Sequence, residues 1–228
     1  MSFAPLRLAA TVLMVRDDPF QVLMVKRNAR EPFASALVFP GGVVEDEDYS
    51  ASWQAHCDGA EGFDSNERAL RVAACRESWE EVGLLPGVLG MPMLREAAGE
   101  LGFLDYARVH GVRLALDELV TFAHWITPEL AAKRFDTYFY ICPVRHAEQA
   151  RCDGRETVSL EWIEPCEALA SEARGERSLL LPTRENLKLL AQNANSASAI
   201  AAARARPVVA IMPDWVNGRP ALKPSEAL

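Results

Sequence analysis

The chemistry of this chain is concentrated in one run, Ala73-Ala74-Cys75-Arg76-Glu77-Ser78-Trp79-Glu80-Glu81-Val82-Gly83-Leu84. At about 100° per residue, and taking Glu77 as zero, Glu80 falls near −60° and Glu81 near +40°, so the three carboxylates share one helical face. Three glutamates this close repel one another unless a counter-charge holds them. A hard divalent cation is one solution, because Mg²⁺ takes oxygen ligands, keeps several waters and is commonly shared between a few carboxylates and phosphates. Arg76 lies beside the cluster and can orient a carboxylate by a charge-assisted bond. The plainer reading of the same residues is a solvated acidic helix face.

The carrier of these groups is a helix. Ser65 can cap its start, residues 68–81 contain no Gly or Pro, and Gly83 stands where a C′ glycine stops a helix. Val72, Cys75, Trp79 and Val82 cluster within roughly 80° on the side away from the glutamates, a stripe that can bury against a sheet. Burial of that stripe is expected to force the acidic face outward. Upstream, residues 11–16 and 21–26 are Val- and Leu-rich and split by Asp17-Asp18-Pro19-Phe20, the pattern of an antiparallel hairpin. Residues 36–39 form a short apolar run stopped by Pro40-Gly41-Gly42, a turn that needs the freedom of glycine. Residues 46–66 are aperiodic and acidic, a loop or a small subdomain.

Further along, residues 94–109 read as a helix despite two glycines, and residues 119–126, 135–144 and 158–163 as strands. Residues 165–173 and 182–192 read as helices, the second opened by Pro182. Residues 194–206 are Ala-rich, either helix or connector. Residues 207–212 are a late strand candidate, and the tail after Trp215 is expected to be irregular. Strands interleaved with helices after an opening hairpin favour a mixed sheet covered by helices, an α/β class.

Composition narrows the function. With 24 Lys+Arg against 32 Asp+Glu the net charge is −8, which argues against a nucleic-acid polymer as partner. Five cysteines, none in a C-x-x-C pair, fit reduced thiols in a cytoplasmic protein. The sequence shows neither a secretory signal nor a membrane span. His56-Cys57 has no partner spacing for zinc, and His124, Phe135, Tyr138, Phe139 and Tyr140 read as sheet residues.

Taken together, Phe39-Pro40-Gly41-Gly42, the acids Glu45, Glu47 and Asp48, and Arg76-Glu77-x-x-Glu80-Glu81-x-Gly83-Leu84 resemble the Nudix hydrolase signature, G-x5-E-x7-R-E-U-x-E-E-x-G-U. Ser78 stands where an apolar residue (U) is usual. Six on from Gly42 is Asp48 rather than Glu, with Glu47 adjacent as a substitute. Arg76 comes 28 positions after Asp48 where the signature has eight, so the box carries 20 extra residues, which can bulge outward if both anchors keep their geometry. Interrupted boxes of this kind are similar to those of the coenzyme A diphosphatase branch. Trp125-Ile126-Thr127-Pro128, Lys133-Arg134-Phe135-Asp136-Thr137 and Trp162-Ile163-x-Pro165-x-Glu167-Ala168-Leu169 resemble segments of the same family.

The resemblance implies a Nudix fold, an α/β/α sandwich with a mixed central sheet, over residues 1–193. Residues 194–228 become a C-terminal extension packed on the domain or at a dimer interface. It implies water attack on a diphosphate joined to another moiety, with Mg²⁺ or Mn²⁺ as cofactor. Glu77, Glu80 and Glu81 become metal ligands, one doubling as base, and Arg76 their positioning residue. Gly41 and Gly42 let backbone amides approach metal or phosphate. A late-loop base is implied as well, with Glu156 first and Asp153 or Glu161 behind it; each reads more simply as an ordinary exposed acid. Lys26, Arg27 and Arg30 can meet phosphates at the site mouth or be a solvated strand end. The expected partner is a small-molecule diphosphate: coenzyme A or acyl-CoA, else ADP-ribose, a dinucleotide or a nucleotide sugar. A Nudix-fold regulator that binds a nucleotide without cleaving it is the alternative from another class, and a homodimer is possible in either.

Overall fold

The computed structural model describes residues 3–27, 36–87, 101–144, 150–152 and 157–222. In chain order the strands are β1 (Leu6–Arg16), β2 (Gln21–Arg27), β3 (Leu37–Val38), β4 (Gly41–Val43), β5 (Cys57–Asp58), β6 (Leu114–Ala115), β7 (Val120–Ile126), β8 (Arg134–Pro143), β9 (Thr157–Ile163), β10 (Ala210–Ile211), β11 (Asp214–Val216) and β12 (Arg219–Ala221). The helices are α1 (Ser65–Val82), α2 (Phe103–His110), α3 (Pro165–Ala173), α4 (Leu181–Leu190) and α5 (Ser196–Ala205).

β1 is the spine of an eight-stranded mixed sheet. One edge runs parallel to β8 from Leu6 opposite Arg134 to Val15 opposite Pro143. The other edge is shared: β2 pairs antiparallel with its C-terminal end, and β4 with Ala9, Ala10 and Thr11. β7 adds antiparallel to β8 and β10 parallel to β7, while β9 and β3 pair with β2.

Alternation along the strands separates two cores. Ala10, Val12, Met14, Leu23, Val25 and Tyr140 bury against α1, while Leu13, Val15, Val22, Met24, Phe139 and Ile141 bury on the opposite side. That opposite side receives Ala168 of α3, Leu187 and Leu190 of α4, and Ala199 and Ala203 of α5. The result is the α/β/α sandwich with a mixed sheet.

α1 ends at Gly83, whose φ of 67° is the left-handed cap conformation. Its start differs from expectation: Asp64, not Ser65, is the cap, its carboxylate accepting from the Glu67 amide at 2.9 Å. The aperiodic residues between β4 and α1 do not bulge out as a loop. They form two 3₁₀ turns, Asp46–Tyr49 and Ala51–His56, followed by β5, which pairs with β6. Trp53 is the reason, because its ring is 1% exposed and lies 5.1 Å from Phe103 of α2, which lies 5.3 Å from Trp79 of α1. One large apolar side chain thus turns an aperiodic stretch into a packed cover over α1.

Of the helix expected over 94–109, residues 94–100 lie outside the described residues and α2 begins at Phe103, with Gly102 as its cap. The Ala-rich stretch is a helix, capped by Asn195 and tied by Asp17, which accepts from the Ser196 amide at 2.8 Å. The tail is not irregular over its described residues: β11 and β12 form a hairpin around Asn217 and Gly218, both at positive φ. All five cysteines are free.

Candidate active site

Arg76 is the hub of the site. It is 4% exposed, and its Nε and Nη2 donate to the two oxygens of Asp48, each at 3.0 Å. Its Nη1 donates to Glu77 Oε1 at 2.9 Å and Glu80 Oε2 at 3.1 Å, and Nη2 also reaches the Val43 carbonyl at 2.9 Å. Burial works to lower the Arg76 pKa, but the hydrogen bonds and charge of Asp48, then the charges of Glu77 and Glu80, raise it on balance. The guanidinium is therefore permanently charged and planar, and it draws two carboxylates together while neutralising a third. Asp48, not Glu47, is the acid that Arg76 holds, 28 positions before it in the chain. The Glu45 amide donates to its Oδ2 at 2.8 Å.

The acidic face looks outward only in part: the Glu80 side chain is 36% exposed, whereas its neighbour on the same face is buried. Glu81 is 3% exposed and accepts from the Gly41 amide at 3.0 Å through Oε2. The wheel has one apolar stripe, whereas α1 is enclosed on two sides, by the sheet and by the cover around Trp53. Gly41, at φ 153°, has no space for a Cβ beside Ala10 and Thr11 of β1. At Gly42 a Cβ would overlap the Glu77 carboxylate, so the two glycines let β4 lie directly under the acidic helix. Ser78, in the slot usually apolar, satisfies its hydroxyl by donating to the Ala74 carbonyl at 2.8 Å.

Other candidates are placed as follows. Lys26 is exposed and follows Met24 on the face opposite α1, so it is not brought to the carboxylates. Arg27 ends β2, where the pairing with β9 shifts register. Arg30, Asp153 and Glu156 lie outside the described residues. The flanks of the segment holding the last two are pinned to α1: the Arg151 amide donates to the Val82 carbonyl at 2.9 Å and Thr157 Oγ1 to the Glu81 carbonyl at 3.1 Å. Sequence reasoning missed Thr157, a buried hydroxyl with no motif around it. Glu161 is on the face away from α1 and pairs with Arg177. His124 is in β7, stacked 3.9 Å from Tyr138 and bonded to Asp136. His56 contacts the Val112 carbonyl at 3.3 Å.

Among the described residues, no three His, Cys, Asp or Glu side chains stand together in a shape that could hold a metal ion. The donor chemistry nevertheless fits a hard cation: all the donors are carboxylate oxygens, gathered by Arg76 beside a strand stripped of Cβ atoms. Mg²⁺ needs only one or two protein carboxylates when waters and phosphates complete its shell.

A model of the NUDIX domain matches residues 5–183. The chain belongs to the Nudix family. A crystal structure of a NUDIX hydrolase from Alicyclobacillus acidocaldarius superposes with a TM-score of 0.78 at 26% identity, covering 88% of this chain and 97% of that one. Acyl-coenzyme A diphosphatase NUDT19 of Homo sapiens is 27% identical over 68% of this chain and 56% of its own length. The Gallus gallus protein of the same name is 28% identical over 72% and 62%. The chain therefore spans less than two thirds of either relative. Within the Nudix box, Gly41 and Gly42, Asp48, Arg76 and the three glutamates form one connected unit despite the insertion. No helix among the described residues is long and apolar enough to cross a membrane.

Proposed function

We propose that this Nudix protein hydrolyses the diphosphate linkage of a nucleoside diphosphate derivative in the presence of Mg²⁺ or Mn²⁺. Coenzyme A or an acyl-CoA is the first substrate; ADP-ribose, a dinucleotide and a nucleotide sugar follow. The observation that carries the reading is the gathering of Glu77 and Glu80 by Arg76 while the Gly41 amide holds Glu81. The coenzyme A choice is supported by the two NUDT19 relatives and by the interrupted box.

In this reading Glu77, Glu80 and Glu81 hold the cation, which when bound neutralises the diphosphate and polarises its oxygens. Arg76 fixes the spacing of the carboxylates, and its bond to buried Asp48 keeps it from turning toward the substrate. Gly41 and Gly42 leave the β4 backbone open to phosphate oxygens. A water attacks one phosphorus, the P–O bond of the diphosphate bridge breaks, and the departing phosphate keeps the electron pair. Glu156 takes the proton of that water, a role supported by its chain neighbours, since the Arg151 amide donates to the Val82 carbonyl and Thr157 Oγ1 to the Glu81 carbonyl. Arg27 remains a proposed phosphate contact from its position at the end of β2; Lys26 is dropped because it faces the other way.

The test incubates the full chain and Glu81→Gln with Mg²⁺ and coenzyme A, acyl-CoA, ADP-ribose, dinucleotides and nucleotide sugars, identifying products by mass. Coenzyme A should give 3′,5′-ADP and a phosphopantetheine, with the variant slower by about a hundredfold or more. Turnover of the other substrates with coenzyme A untouched keeps the class and moves the substrate. Binding without turnover across the whole panel replaces the enzyme with a nucleotide-sensing module.

A further inference from the structure

Beyond the box, the sheet face that carries α1 has a half-open strip leading away from the carboxylates. Its order follows from register. Gly42 of β4 stands opposite Ala10 of β1, Ala10 opposite Tyr138 of β8, and Tyr138 opposite His124 of β7. The adjoining row runs from Leu8 to Asp136 to Ile126, with the Val44 amide bonded to the Leu8 carbonyl. Residues two apart along a strand point to the same side, so both rows share the face of α1. Leu8, Asp136, Tyr138, His124 and Ile126 are all half-buried, whereas Tyr140, one step further along β8, is buried beneath Arg71 at 5.0 Å. The strip is thus closed at its inner end and open at the other.

Its chemistry is specific. Tyr138 and His124 stack at 3.9 Å with planes 21° apart, making an aromatic wall above the apolar floor of Leu8. His124 Nε2 bonds Asp136 Oδ1, and among the described residues no other group bonds that carboxylate. A carboxylate only accepts hydrogen bonds. Asp136 lies two strand spacings from the β4 column, roughly 10 Å. That is about the reach from a 5′-phosphate across the ribose to the exocyclic edge of the base.

We propose that this strip receives the nucleobase of the substrate, packed on Leu8 against Tyr138, and that Asp136 selects a base bearing an exocyclic amine. The inference rests on the site being one for nucleoside diphosphate derivatives. Asp136 and Tyr138 touch the base; His124 is a positioning residue that fixes Asp136 through Nε2. An adenine amine donates to the Asp136 carboxylate, whereas hypoxanthine places a carbonyl oxygen there and sets two acceptors against each other. The bridging diphosphate chemistry is indifferent to this exchange, so the effect is confined to affinity.

The test measures dissociation constants of ADP and IDP for the full chain in Mg²⁺ by calorimetry, with Asp136→Asn and Tyr138→Leu alongside. ADP should bind the wild type about tenfold more tightly than IDP. In Asp136→Asn, whose amide can donate or accept, the two should come within about twofold. Tyr138→Leu should weaken both by about tenfold and keep their ratio, since stacking is tolerant of base identity. The wild-type ratio needs no variant: equal affinities, or failure to bind either nucleotide, overturn the proposal, as does an ADP preference that survives in Asp136→Asn. Turnover of the diphosphate panel without an ADP preference sinks the strip alone. An ADP preference without turnover sinks the hydrolase reading and leaves the strip standing.

Discussion

The two faces of the sheet are built on opposite terms. The α1 face buries charge: Arg76, Asp48 and Glu81 are each at least nine-tenths shielded from water, Arg76 and Asp48 compensating one another while the Gly41 amide donates to Glu81. The far face buries mainly methyl and methylene groups, with Leu187, Leu190, Ile141 and Phe139 at its centre, buried Asn186 accepting from Trp125, and ion pairs such as Glu172 with Arg184 toward the rim. On the far face stability accumulates roughly side chain by side chain. On the α1 face it is a property of the set, because removing one member exposes the uncompensated charge of the rest.

Three substitutions sharpen that contrast. Arg76→Ala should have the largest effect, destabilising by about 3–5 kcal/mol because it strands the buried Asp48 carboxylate. It should also abolish turnover per folded molecule, so denaturant melts and activity must both fall. Asp48→Asn combined with it should recover part of the stability and none of the activity. Leu187→Ala, at the centre of the far face, should cost about 2–5 kcal/mol in the same melts while leaving turnover per folded molecule unchanged. A Leu187→Ala protein that melts normally but is inactive would break the division between the faces.

The smallest effect concerns pH. The Arg184 hydrogen bond, against opposing burial, holds the Glu172 carboxyl below its ordinary range. A carboxyl with a lowered folded-state pKa stabilises fully above its unfolded pKa, and the contribution is lost as pH falls through the folded value. Both side chains are partly exposed, so the contribution is about 1 kcal/mol or less. Glu172→Gln should therefore flatten part of the acid limb of a stability-versus-pH curve and leave the curve above pH 6 offset but parallel.

What could be read from the residues alone follows the same division. Arg76, Glu77, Glu80, Glu81 and Gly83 were legible because helix periodicity and one short motif define them without reference to anything distant. The two-sided burial of α1 was not, because its second cover comes from Trp53 and Phe103, 50 residues apart, the first in a stretch without a period. Strand alternation shows that Lys26 sides with Met24 and not with Val25, but alternation cannot say which side α1 will occupy. The β11–β12 hairpin carried its signal in Asn217-Gly218, outweighed by Pro213 and Pro220 in a short polar tail. Asp48 was legible as a candidate; only the guanidinium geometry decides between it and Glu47.

The parallel pairing of β1 with β8 also governs how the chain comes into being. Leu6 waits for Arg134, and the last pair forms only once Pro143 has been made. At about 5–20 residues per second, the first hairpin emerges from the ribosome roughly ten seconds before its central neighbour exists. During that interval one long edge of a Val- and Leu-rich strand is bare, the state in which newly made strands stick to one another. Chaperone demand for this protein should accordingly fall on the nascent chain rather than on the finished one.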